Sequence, residues 1–170
     1  MRPNRVKQVM REGQLALGAY VTLADPQIVE IIGLSGFDAA FIDMEHTDFD
    51  LPLISQMIRA ADLAGVTSVI RVPDNDAKLI LRLLDMGAEG IIVPHVAGIE
   101  GAQKAVDAVR YPPLGHRVRR RQAGLLCDHS RSVYPHRLGD QCLAVGAGVQ
   151  VEAHGVWQED GVGLAVRDVV

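Results

Sequence analysis

Along the first two thirds of the chain, apolar residues alternate between two rhythms. Residues 17–23, 37–43, 66–72 and 91–94 form short, near-continuous apolar runs and are predicted strands. Between them the spacing lengthens to that of a helix. Asp25 followed by Pro26 supplies a helix cap and a first-turn proline, and Ile28, Val29, Ile31 and Ile32 are the expected apolar face, closed near Gly33 or Gly36. Leu51, Ile54, Ile58 and Ala61 form one stripe of a second amphipathic helix ended by Gly65. Ile80, Leu83 and Leu84 form the stripe of a third, over residues 76–86, with Gly87 after it. Ile99, Ala102, Val106 and Val109 mark a fourth, and a polar helix precedes the first strand.

Four strand–helix units with strands this apolar predict an α/β fold, a parallel sheet covered by helices. In such sheets functional residues gather at the C-terminal ends of the strands. The rhythm stops after Tyr111-Pro112-Pro113. Residues 114–139 follow neither period, residues 141–152 read as strand-like again, and residues 162–170 are a short apolar end.

Charge marks the same boundary. Residues 1–109 carry 9 basic and 15 acidic side chains, whereas residues 110–140 carry 7 basic and 2 acidic. The whole chain has 170 residues and a net charge of -4. That is enough for one domain with a real core but short of the roughly 250 residues of a complete (β/α)₈ barrel. No apolar run approaches the ~18 residues that span a bilayer. The basic block lacks the interleaved aromatics of a nucleic-acid surface. Cys127 and Cys142 are too few for a disulfide scaffold. The expectation is a cytoplasmic protein with no nucleic-acid or membrane partner.

Candidate chemistry sits where the predicted strands end. Asp43-Met44-Glu45-His46 sets two carboxylates and an imidazole at the mouth of the second. It could be an acid–base or metal-ligating group or a solvated loop. Arg71 leaves the third strand and needs an anionic partner, either a substrate carboxylate or a structural one. Asp85, close to a helix C-terminus, opposes the helix dipole, so it wants a compensating donor or plain solvent. Pro94-His95 and Gln150-Val151-Glu152 are suggestive only, although a glutamate at a strand end could bind a hard divalent cation.

Taken together these segments resemble the HpcH/HpaI aldolase/citrate lyase family, specifically its class II, metal-dependent pyruvate aldolases. The matching stretches are Leu17-Gly18-Ala19-Tyr20, Gly36-Phe37-Asp38, Ile42-Asp43-Met44-Glu45-His46, Val69-Ile70-Arg71-Val72-Pro73, Leu83-Leu84-Asp85-Met86-Gly87-Ala88, Ile92-Val93-Pro94 and Tyr111-Pro112-Pro113-Leu114-Gly115. The resemblance implies a (β/α)₈ TIM-barrel fold, here incomplete with about four to six βα units, in a homo-oligomer. It implies reversible aldol cleavage of a 2-keto-3-deoxy or 4-hydroxy-2-oxo acid to pyruvate and an aldehyde. His46 then matches the catalytic acid–base, Asp85 the carboxylate that orients it, and Arg71 the arginine that grips pyruvate and its enolate. Gln150 matches a pocket residue and Glu152 a ligand for Mg²⁺, Mn²⁺ or Co²⁺.

The single domain, residues 1–170, divides by this match. Residues 1–117 fit the family well and residues 141–170 fit it in part. Residues 118–140 are either divergent or read in a shifted frame, in which glycine codons become the arginines of Val118-Arg119-Arg120-Arg121. The family's second metal-binding carboxylate does not follow Glu152, which is expected of a truncated chain. A catalytically inactive homologue acting as an assembly or binding subunit is therefore an alternative. A citryl- or malyl-CoA lyase-like enzyme is a further one.

Overall fold

The computed structural model describes residues 4–117 and 142–145. Helix α1 (Arg5–Arg11) precedes β1 (Gly18–Val21), α2 (Pro26–Leu34), β2 (Ala39–Asp43), α3 (Leu51–Ala64), β3 (Thr67–Arg71), α4 (Ala77–Met86), β4 (Gly90–Val93), α5 (Gly98–Val109) and β5 (Cys142–Val145). The five strands pair in chain order, β1-β2-β3-β4-β5, and every pairing is parallel. Sequential parallel strands joined through helices are the arrangement of a (β/α)₈-type barrel, and the described residues hold five such strands.

The helices start where side chains can take their free N–H groups. Asp25, Asp50 and Asp76 accept from the backbone N–H of Gln27, Leu53 and Lys78. Gly65 and Gly87, both in the left-handed conformation, end α3 and α4. Helix α2 runs through Gly33, a predicted stop, and the left-handed turn falls at Gly36. Gly33 serves packing instead. A Cβ there would stand 2.6 Å from the Ala64 Cβ, so its absence lets α2 lie against the end of α3.

Side-chain alternation divides the sheet into two faces. Val21, Ala40, Ile42, Ile70, Val72, Ile91 and Val93 join the core beneath the helices. There they meet Val29, Ile54, Met57, Ile58, Ile80, Leu83 and Ala105. Burial of each large aliphatic side chain contributes about 1.5–3 kcal/mol. Two expected inward positions point to solvent: Ile31 of α2 is 55% exposed and Ile99 of α5 is 71% exposed. In α5 the buried stripe is Ala102, Ala105, Ala108 and Val109, small residues that let the helix sit close to the sheet. The other sheet face carries Tyr20, Phe41 and Arg71, with Asp43 at its rim.

Helix α1 closes the N-terminal end of the sheet. Val6 and Val9 are buried, and the Val6 N–H donates to Thr67 Oγ1 at 3.2 Å. Arg5 Nε reaches Asp38 Oδ1 at 2.9 Å, while Asp38 Oδ2 accepts from the Leu17 N–H. The two acceptor oxygens of Asp38 thus tie α1 and β1 to the start of β2. The opposite, C-terminal end stays open for side chains.

Candidate active site

Register brings the site together. Asp43 is the last residue of β2 and lies beside Arg71, the last residue of β3. Both strands are held to their ends, because the Met44 N–H donates to the Arg71 carbonyl at 2.8 Å and the Val72 N–H to the Ile92 carbonyl at 3.0 Å. Asp43 meets Arg71 in a two-pronged pair, with Nε 2.9 Å from Oδ1 and Nη2 2.6 Å from Oδ2. Asp43 Oδ1 also accepts from the backbone N–H of Glu45 and of His46, which curls the chain after β2. The Thr47 hydroxyl donates to the Asp43 carbonyl within the same turn.

Burial is the largest single influence on the Asp43 carboxyl and pushes it up. The Arg71 hydrogen bond, the two backbone N–H groups and the Arg71 charge together outweigh burial and hold it below the usual carboxylate value. Arg71 is held above its ordinary value, first by its hydrogen bond to Asp43, against the effect of burial. The guanidinium lies 5.2 Å from the centre of the Tyr20 ring, and Tyr20 packs on Phe41 at 5.3 Å.

Glu45 is the second hub. Its Oε2 lies 3.2 Å from Arg71 Nε and 3.7 Å from His46 Nε2. Its Oε1 lies 2.9 Å from His95 Nε2. Strands β2, β3 and β4 thus bring an arginine, two carboxylates and two imidazoles to one end of the sheet. Such a group can bind an anion and move a proton.

The expected residues separate into those gathered here and those not. Arg71 and His46 are gathered, linked through Glu45. Asp85 is not paired with His46. Its Oδ1 receives Arg117 Nη2 at 3.0 Å, and the nearly buried Arg117 lies 4.7 Å over the Tyr111 ring. The donor that a carboxylate near a helix C-terminus requires is this arginine. Gln150 and Glu152 lie outside the described residues. Asp43, Glu45, His95 and Arg117 carry more of the geometry than their sequence signals suggested. For Asp43 the available signal was position, since it ends its strand as Arg71 ends the next.

Among the described residues, no three His, Cys, Asp or Glu side chains converge on a point that could hold a metal ion. The two carboxylates at this end both face Arg71. The described residues alone therefore do not fit a divalent ion, and Glu152, the expected ligand, is not one of them.

A sequential parallel β/α sheet with this group at its C-terminal end defines a barrel-type α/β scaffold with side-chain chemistry at the strand ends. The chain belongs to the HpcH/HpaI aldolase/citrate lyase family, whose model matches residues 16–152. It is 36% identical over 115 residues to a 5-keto-4-deoxy-D-glucarate aldolase of Klebsiella pneumoniae, covering 68% of this chain and 45% of that one. It is 41% identical over 115 residues to a 4-hydroxy-2-oxovalerate aldolase of Novosphingobium aromaticivorans, covering 67% of this chain and 44% of that one. Among solved structures it is similar to an HpcH/HpaI aldolase from Desulfitobacterium hafniense, with a TM-score of 0.63 and 34% identity over 66% of this chain and 44% of the other. It is also similar to the citrate synthase SbnG, with a TM-score of 0.64 and 36% identity over 67% of this chain and 46% of the other. The chain thus spans a little under half the length of these relatives.

Proposed function

We propose that this chain takes part in the reversible aldol cleavage of a 2-keto-3-deoxy or 4-hydroxy-2-oxo acid to pyruvate and an aldehyde. The observation that carries the reading is the Arg71–Glu45–His46 group, an anion-handling guanidinium and a proton-carrying imidazole sharing one carboxylate at the open end of the sheet. Family membership and the aldolase names of the relatives support it. In this reading Arg71 receives the pyruvate carboxylate and the enolate oxygen. His46 takes and returns the proton at the carbon that joins the aldehyde. Asp85 would orient His46 only after exchanging its present partner, Arg117. A divalent ion (Mg²⁺, Mn²⁺ or Co²⁺) enters the proposal only through Glu152, with Gln150 as a pocket residue, both outside the described residues.

A homo-oligomer, small-molecule partners and a cytoplasmic location complete the proposal. No helix among the described residues is long and apolar enough to cross a membrane.

The test is direct. Purified protein is mixed with pyruvate, a panel of short aldehydes and each metal in turn, and aldol product is measured. Metal-dependent product that His46→Ala abolishes, in a variant that keeps its fold by circular dichroism, is the expected result. No product with any metal removes the activity from this chain.

One pair of observations favours a second reading, a non-catalytic homologue that serves as an assembly or binding subunit. Arg71 is already matched by two carboxylates, and Asp85 by Arg117. The same assay separates the two readings.

A further inference from the structure

His95 follows β4 and Pro94 with a φ of 52°, and it is the one non-glycine at positive φ among the described residues. The other five residues in that region are glycines, which adopt it without a steric penalty. Histidine is among the few non-glycine residues enriched in that region, so the backbone accepts it at modest cost and the ring is aimed by it. The ring does one thing among the described residues: its Nε2 meets Glu45 Oε1 at 2.9 Å.

That contact bears on the whole group. Glu45 is largely buried and presents two oxygens in different directions. Oε2 faces Arg71 Nε and the His46 ring, whose 3.7 Å separation is too long for a hydrogen bond. Without a partner on the second oxygen, the carboxylate would be held at one oxygen only and could pivot about it, which would loosen what Arg71 and His46 face.

We propose that His95, whose side chain is 84% exposed, is a positioning residue: its bond to Glu45 Oε1 fixes the plane of that carboxylate and so the oxygen turned toward Arg71 and His46. The kinetic arm of the test rests on the aldolase reading, whereas the spectroscopic and stability arms do not.

Three proteins are compared, the parent chain, His95→Gly and His95→Gln. Glycine relieves the backbone and removes the ring. Glutamine keeps the backbone cost and restores an N–H donor. Two-dimensional ¹H–¹⁵N spectra of the histidine rings, with His46 assigned by its own substitution, report the surroundings of that ring. Thermal melting reports stability. In His95→Gly the His46 ring resonances should move and broaden in a protein that melting shows to be still folded, and His95→Gln should return the resonances part of the way. Where aldol turnover is present, kcat should fall by about tenfold in His95→Gly with KM for pyruvate changed far less, as when a supporting partner of a site residue is lost.

His46 resonances in His95→Gly that coincide with those of the parent would overturn the proposal. His46 resonances that His95→Gln leaves as far displaced as His95→Gly does would overturn it too, because a donor at that position would then not matter. Absence of turnover in the parent together with moved His46 resonances leaves the positioning role standing and removes the aldolase reading. Turnover and resonances both unchanged in His95→Gly do the reverse.

Discussion

Arg71 and Asp43 end adjacent strands and face each other through two short contacts, 2.9 Å and 2.6 Å, with Asp43 almost wholly buried. The pair sits at the open end of the sheet and so serves both stability and the site. Removing the carboxylate leaves a half-buried guanidinium with Glu45 as its remaining acidic neighbour and two backbone N–H groups without their acceptor. Asp43→Ala should therefore destabilise the chain by about 3 kcal/mol, read as a lower urea midpoint at an unchanged slope. A midpoint unaltered within error would show that the pair contributes nothing net.

The same carboxylate sets an acid limit. Its folded value lies below the ordinary 3.8. The stability it contributes is present in full above that ordinary value and is lost as pH falls through the lower, folded one. The difference in unfolding free energy between the parent chain and Asp43→Asn should hold constant from neutral pH to about pH 5 and shrink below pH 4. Carboxyl ¹³C titration of Asp43 should place its midpoint under 3.8. A midpoint above that value would contradict the balance of forces described here.

Gly18 and Phe41 make a steric prediction. A Cβ on Gly18 would lie 2.2 Å from Phe41 Cε2, and the ring cannot stay where it is. Gly18→Ala should cost about 1–3 kcal/mol, as overpacking does. Shortening the neighbour with Phe41→Leu in the same chain should return part of that loss, giving a favourable coupling in a double-mutant cycle. Purely additive effects would mean that the clash is not the cause.

Helix α3 offers an internal control. Ile58 is 1% exposed and Leu63 is 85% exposed, five residues apart on one helix. Ile58→Ala should cost about 2–5 kcal/mol and Leu63→Ala less than about 0.5 kcal/mol by chemical denaturation. Equal losses would show that the helix does not bury the face described.

Much of this fold was legible in the residues. Asp25-Pro26 starts α2, and the stripe Leu51, Ile54, Ile58 and Ala61 orients α3, because caps and helical periodicity are local signals. Ile31 and Ile99 fit the helical periodicity yet face solvent, because an apolar residue on the rim of a stripe can do so at modest cost. The apolar runs at 17–23 and 37–43 extend beyond β1 and β2, since apolar residues also flank a strand where the chain turns to or from a helix.

The site was legible only in its parts. Arg71 demanded an anion, but the choice between a substrate and Asp43 depends on the register of β2 against β3, which a single strand does not encode. The Asp85–Arg117 pair joins positions 32 residues apart through the loop after α5, a contact that no periodicity anticipates. The left-handed conformation of His95 is likewise unreadable from sequence, since histidine tolerates that region but adopts it only rarely.

The unbroken order β1-β2-β3-β4-β5 has a kinetic consequence. Through β4, each strand finds its neighbour just beyond the next helix, so no early pairing waits for a distant part of the chain. Contacts of short sequence separation keep the entropy of loop closure small and favour rapid zipping from one unit to the next. A nascent chain can therefore add each βα unit to an edge that already exists, and each intermediate exposes two bare edges, that of β1 and that of the newest strand.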